Sequence, residues 1–344
     1  MLRRFLFVLF SFVPNLAFAH EVYVLPEDVR EAALQAPSFS FLEVIQANLT
    51  DFLLWGFVAF LVVFLVFFAS ISRFLEHKLD PFLAKLPPYA PVASRIAIGA
   101  SFLASAYYGA LFGPELPLDD TFGAFSPLVT GLLVVVGIMT MLGVYARIAT
   151  LGALMLFIAE ITTHGWYMLT YLNYAGELVL IGLLGAHHLA FHHKGHDAAR
   201  APHWFLRLKT VLAPYAFLIL RIAFGVSLIF ASLYAKVFHN ELALAVTTEY
   251  PDLLTFFGFE AHFLVLGAAI IEILIGLFFI LGVEIRFTAL FMLFWLSLSL
   301  WYFGEAVWPH LILIGIPIAF IFYGYDRYSL EGYFFKKNGR EPVL

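Results

Sequence analysis

"PYAPVASRIAIGASFLASAYYGALF", Pro88 to Phe112, lines up without a gap on "PYAFLILRIAFGVSLIFASLYAKVF", Pro214 to Phe238. The two stretches share Pro, Tyr, Ala, Arg, Ile, Ala, Gly, Ser, Tyr and Phe in register, and each is apolar over the length of a membrane-spanning helix. Internal similarity of this kind has to be read first, because it changes what every polar position means. It continues downstream. "VVVGIMTMLGVYARIATL" pairs with "ILIGLFFILGVEIRFTAL", placing Gly137 with Gly276, Leu142-Gly143-Val144 with Leu281-Gly282-Val283, and Arg147 with Arg286. "GELVLIGLLGA" from Gly176 then pairs with "PHLILIGIPIA" from Pro309, which sets Glu177 opposite His310. Each unit holds four helices. An even number makes both units cross a membrane in the same sense, a parallel duplication about an axis along the membrane normal.

The rest of the chain has the composition such a reading needs. Its 344 residues are 62% hydrophobic, 18% aromatic and 12% charged. A soluble domain has roughly half apolar and a quarter charged residues. Mean hydropathy is +0.92. Apolar segments of spanning length begin near Phe52, Pro91, Pro127, Ile148, Gly176, Val211, Phe263, Phe287 and His310. The expected fold is therefore all-α: a polytopic membrane protein of about nine transmembrane helices, two parallel four-helix repeats preceded by one extra helix. Membrane lipid is the expected surrounding and nucleic acid is not. There is no cysteine, which excludes disulfides, thiol nucleophiles, Cys-ligated clusters and covalent c-type haem, and leaves His, Asp and Glu as metal ligands.

The N-terminus "MLRRFLFVLFSFVPNLAFAH" has Arg3 and Arg4, a short apolar core and Ala17-Phe18-Ala19, the layout of a secretory signal. Cleavage after residue 19 would leave His20 as the mature N-terminus. The expected order is a signal peptide over 1–19, an extracytoplasmic tail over 20–51, a first helix over 52–72, a four-helix unit over 88–193, a cytoplasmic linker over 194–210, a second unit over 211–325 and a cytoplasmic tail over 326–344. With the mature N-terminus outside, Arg73, Lys78, Lys85, Arg147, Lys194, Arg200, Arg207, Lys209, Arg286, Arg327, Lys336, Lys337 and Arg340 lie inside. Only Arg30 and Lys236 stay out, which obeys the positive-inside rule.

The residues of each unit resemble the DoxX-like family of small four-helix membrane proteins. The resemblance rests on an opening helix with an arginine before small residues ("RIAFGVS", Arg221) and a second helix with an acid, glycines and an arginine turn ("IEILIGLFFILGVEIR", Glu272, Gly276, Gly282, Arg286). A short aromatic third helix and a fourth helix entered by a polar residue complete it. The resemblance implies an integral protein of a bacterial or archaeal cytoplasmic membrane, similar to those associated with quinone-linked sulfur-compound oxidation or with membrane redox complexes. The first unit departs from the pattern, with Leu133 where the second has Glu272.

The intramembrane charges are the candidate chemistry, since a charge near mid-bilayer costs about 2.5–3.5 kcal/mol and is kept for a reason. Glu272 lies mid-helix, and Arg221 is placed to meet it between neighbouring helices. The pair reads either as a structural ion pair or as a proton- or quinol-handling carboxylate with its arginine. Glu160 and His164, four apart, share a helical face. With Glu177 they would form an outward-facing metal or proton site, matched in the second unit by Glu305 and His310, or else be interfacial groups solvated by water and headgroups. His20 would chelate a metal through its amine and ring. His188, His192 and His196 recur at helical spacing without a closed ligand set. The cofactor suggested is a quinone or a metal ion. Three functions compete: a redox-associated membrane subunit working with a membrane or periplasmic redox partner, a carrier for a proton, metal or small solute, and a non-catalytic scaffold or assembly factor.

Overall fold

A computed structural model describes residues 25–186, 188–191, 203–303 and 308–335. Among these residues the chain is helical throughout and forms no strand. Two short helices, α1 (Glu27–Gln35) and α2 (Phe41–Asn48), precede a long one, α3 (Phe52–Leu83). A first half follows: α4 (Ala90–Tyr108), a short α5 (Leu118–Phe122), α6 (Ser126–Leu142), α7 (Ala146–His164) and α8 (Leu172–Leu184). After α9 (His203–Leu212) comes a second half, with α10 (Ala216–Leu233), α11 (Asn240–Glu249), α12 (Asp252–Phe257), α13 (Ala261–Leu281), α14 (Ile285–Phe303), α15 (Pro309–Tyr323) and a terminal α16 (Leu330–Phe335).

The sequence punctuates these helices by ordinary rules. Pro91, Pro127 and Pro309 sit in the first turns of α4, α6 and α15, where the missing N–H breaks no bond. Gly143 and Gly282 end α6 and α13 at φ of +71° and +68°, a left-handed conformation that costs other residues energy. Behind each, the N–H of Val144 or Val283 donates to the carbonyl of Met139 or Phe278 at 2.9 Å, closing the same C-terminal motif.

Packing repeats the same contacts in both halves. α4 crosses α6 at Gly99 and Gly137, and α10 crosses α13 at Gly225 and Gly276. A Cβ on Gly99 would stand 2.8 Å from the Gly137 carbonyl oxygen, and one on Gly225 would stand 2.5 Å from that of Gly276. Backbones this close are how helices associate in lipid, where apolar surface alone gives no drive. The halves then exchange neighbours: α8 packs on α10, with Gly176 against Ala223, and α15 packs on α4, with Gly315 against Ala97. One core runs across the seam, joining Ile98, Phe102, Leu133 and Ile181 to Phe224, Phe279, Ile316 and Phe320.

Four buried arginines fasten one end of the bundle, here the arginine end. Arg95 Nη2 donates to the Leu189 carbonyl at 2.7 Å and Arg221 Nη2 to that of Tyr328 at 3.0 Å. Arg147 reaches the Leu184 carbonyl at 3.4 Å and Arg286 the Ile321 carbonyl at 3.1 Å. Each of the last two lies against the glycine ending the fourth helix, Gly185 or Gly324.

These contacts correct the register read for the fourth helix. They pair Gly176 with Gly315 and Gly185 with Gly324, a spacing shared by Arg147 and Arg286. Glu177 is thereby level with Ile316, and His310 with Tyr171. Runs of Leu, Ile and Gly match nearly as well after a shift of several residues, so sequence similarity could not fix this register.

A helix stands at each of the nine anticipated places. By length and composition five are apolar and long enough to cross a membrane, among them α13 and α14, while Leu54–Phe67 and α15 are shorter apolar stretches. The count of nine spans thus remains an expectation. Ile148, Met155, Leu128, Val135 and Phe294 project outward from the bundle as exposed apolar side chains, the surface expected of helices in contact with lipid.

Candidate functional site

The end opposite the arginines is rich in tyrosine and carboxyl groups. α7 delivers Glu160 and His164 one turn apart, so their side chains meet: His164 Nε2 is 3.1 Å from Glu160 Oε2. The short α5 lies over them, and Thr121 Oγ1 donates to Glu160 Oε2 at 3.0 Å and lies 3.4 Å from His164 Nε2. Glu160 is fully buried, while His164 keeps about a fifth of its side chain open, 22%.

Beyond His164 the chain tightens into a 3₁₀ turn, Gly165–Tyr171, before α8. This turn presents Tyr167 and Tyr171 to the loop after α4, where both hydroxyls donate to the same oxygen of Glu115, that of Tyr167 at 2.7 Å. One turn into α8, Tyr174 donates to the Phe112 carbonyl at 3.1 Å and shares a 2.8 Å hydrogen bond with Ser101 of α4. Against Tyr167 stands Tyr234, ring centroids 4.9 Å apart at 64°. Tyr234 opens a one-turn π-helical segment, Tyr234–Phe238. Such segments are rare and recur at functional sites.

These groups surround a cavity of about 270 Å³ lined by Arg30, Leu34, Glu115, Leu116, His164, Tyr167 and Tyr234. The N-terminal segment forms one of its walls. α1 supplies Arg30 and Leu34, and Ala33 of α1 with Leu25 just before it packs on Leu242 and Val246 of α11. Asn240 grips the segment from below: Phe39 N–H donates to its Oδ1 at 3.0 Å and its Nδ2 donates to the Phe39 carbonyl at 2.7 Å.

The anticipated residues are distributed differently from expectation. Arg221 and Glu272 do not meet. Arg221 turns to the arginine end, beside Gly282, with Nη1 3.7 Å from Asp326 Oδ1. Glu272 lies ten residues before Gly282, about 15 Å away along the helix. Its partner is Lys236 of the π-helical segment, whose buried Nζ lies 2.8 Å from Glu272 Oε2. Glu177 is fully buried in α8 with Ser94 of α4 as its polar neighbour, and His310 is buried in the first turn of α15. No group of three or more His, Asp or Glu side chains able to hold a metal ion occurs among the described residues, so Glu160, His164 and Glu177 do not converge as the expected metal site, nor does His310 join them. His20, Glu305, His192 and His196 lie outside the described residues.

The sequence reading missed Glu115, Thr121, Tyr167, Tyr171, Tyr174, Tyr234 and the lysine partner of Glu272. One signal was available: the tyrosines of "GWYMLTYLNYAGE" fall at i, i+4 and i+7, on one helical face just ahead of Glu177.

Comparison with known proteins adds a likeness over part of the chain. Residues 216–305, from the start of α10 into the segment after α14, match the family model described as DoxX. No curated protein and no solved structure matches the chain. Residues 216–305 are thus similar to the DoxX family, and the apolar helices are those of a multi-pass membrane protein.

Proposed function

We propose that this protein is a quinone-linked subunit of a membrane redox complex, built from two tandem DoxX-like four-helix units over 88–193 and 211–325, and that its tyrosine-rich cavity takes the ring of a quinone or quinol. The observation that carries this reading is the convergence of two different proton-handling groups on one cavity of about 270 Å³. One is the Glu115 carboxyl with the Tyr167 hydroxyl, the other the His164 ring backed by Glu160. A quinol offers two hydroxyls across a flat ring and a quinone two carbonyls. A pocket for either needs a donor or acceptor at each end and aromatic walls between, here Tyr167 and Tyr234. In this reading the cavity opens at the outer face of a bacterial or archaeal cytoplasmic membrane, the N-terminal signal is removed, and the arginine end faces the cytoplasm. The chain has no cofactor motif of its own, so the electrons pass to or from a partner protein.

Purification in mild detergent followed by quinone extraction and mass spectrometry tests the assignment. Quinone should accompany the wild-type protein at near-stoichiometric level and fall about tenfold in Glu115→Gln and His164→Ala, the equivalent of losing roughly 1.4 kcal/mol of binding. Wild-type protein that carries no quinone and binds no added short-chain quinone overturns it.

A further inference from the structure

The cavity does not account for Glu177. Its carboxyl is fully buried, 0% exposed, in α8 beside the seam where Gly176 meets Ala223 of the other half. Neither carboxyl oxygen has a hydrogen-bond partner within normal geometry, and Ser94 Oγ of α4, the nearest polar neighbour, is likewise without one. Among the described residues no lysine, arginine or histidine pairs with it. The contrast with other carboxyls of the bundle is sharp. Glu160 has Thr121 and His164, Glu272 has Lys236, and Glu331 accepts the Ile285 N–H. A buried ionised carboxylate without a cation costs several kcal/mol, so a carboxyl kept at such a place has to be satisfied by a proton.

Two hydroxyl-bearing side chains, Tyr174 and Tyr171, lie toward the cavity from Glu177, with the Phe112 ring packed against both. Tyr174 lies one turn before Glu177 on the same helix face. Its hydroxyl is engaged by Ser101 and the Phe112 carbonyl. The next ring, Tyr171, is 6.0 Å away between centroids and donates to Glu115 at the cavity wall. The residue before Glu177, Gly176, lies against Ala223 and Leu220 of α10, and Ile181 one turn on is part of the core.

We infer that Glu177 is a proton-exchanging site at the seam of the two halves, connected to the cavity through Tyr174 and Tyr171 and ending at Glu115. The transfer is a proton movement without redox change. One proton leaves the Glu177 carboxyl and one arrives at the Glu115 carboxylate, while each intervening hydroxyl gives up a proton and receives another, rotating to change partner. The inference goes beyond the quinone reading and does not require it, because the relay works for whatever the cavity binds.

Infrared spectroscopy of the quinone-free protein in detergent tests it. Wild type should show the carbonyl stretch of a protonated, weakly hydrogen-bonded carboxyl. That band should vanish in Glu177→Gln, move in Glu177→Asp, and shift downward on transfer to D₂O as the proton exchanges. Tyr174→Phe should keep the band and slow its D₂O shift by about a hundredfold, the size of contribution a positioned proton-transfer group makes. Tyr215→Phe, at the arginine end, should leave the rate unchanged. Three results each overturn the inference: no band that depends on Glu177, a band that never exchanges in D₂O, or exchange equally fast in Tyr174→Phe. Should Glu177→Gln fail to accumulate, Glu177→Asp identifies the band and the Tyr174→Phe rate still decides. A protein that exchanges this proton but binds no quinone refutes the function proposed above and leaves this site standing.

Discussion

The two halves of the molecule carry the same joints and different chemistry. Gly99 on Gly137 is matched by Gly225 on Gly276, Arg147 beside Gly185 by Arg286 beside Gly324, and the turn at Gly143 by that at Gly282. Even the strained residues recur, Tyr145 at φ +48° and Glu284 at +44°, directly before the third helices. At the positions of Glu160, His164 and Glu177, however, the second half has Ser299, Phe303 and Ile316, and at the positions of Lys236 and Glu272 the first half has Ala110 and Leu133. Packing positions are under the same geometric demand in each half, because backbones must approach and helix ends must be satisfied. Ionisable positions face no such demand, and each group is needed only where its partner stands.

This contrast can be broken most directly at the crossings. Gly99→Leu and Gly225→Leu each push a side chain into a carbonyl of the facing helix, and both should prevent accumulation of folded protein, since overpacking costs about 1–3 kcal/mol even in cores that relax. Fluorescence-detected size exclusion reads the result, and a half that tolerates the change would show that the joints are not equivalent. Next in size, Arg147→Ala and Arg286→Ala should each lower thermal stability by about 1.5–3 kcal/mol, because each removes a charged donor from a helix-terminal carbonyl. Unequal losses, measured by the same melting assay, would sharpen the comparison toward the half that holds the fold.

The unmatched chemistry should respond in one half only. Tyr167→Phe removes one hydroxyl from Glu115 and should weaken ligand retention in the cavity by about fivefold, near 1 kcal/mol, whereas Ser299→Ala should have no effect on it. The Lys236–Glu272 pair should show a coupling of about 1 kcal/mol in a double-mutant cycle with Lys236→Met and Glu272→Gln, since Glu272 is partly open at 31%. Smallest of all, Gly131→Ala inside α6, with nothing within 4 Å of the added methyl, should raise stability by about 0.5–1 kcal/mol, the helix-propensity gain alone. A large effect there would point to a lipid or protein contact on that face.

Much of this was legible without coordinates. The helix places, their bounding Pro and Gly residues and the pairing of Arg95 with Arg221 and of Arg147 with Arg286 were readable because they obey local rules. The partner of Arg221 was not. Seven residues past Pro214 set its depth but not the helix face it takes, and Gly282 leaves room for it on the side away from Glu272. Lys236 looked like a loop residue because the π-helical turn that buries it has no sequence signature. Glu115 was one acid in a loop, and nothing in its neighbours signals that two tyrosines 52 and 56 residues later both reach it.

Composition and apolar segment length settled by themselves that the chain is a helical membrane protein. They do so because the bilayer imposes one requirement on every residue of a span, which local sequence must meet alone. Which carboxyl meets which cation, which glycine of several forms a crossing, and that Glu177 stands without a cation among the described residues were decided only when the halves came together. Those outcomes depend on the rotation and depth of one helix against another, and side chains tens of residues apart carry no record of that in their order along the chain.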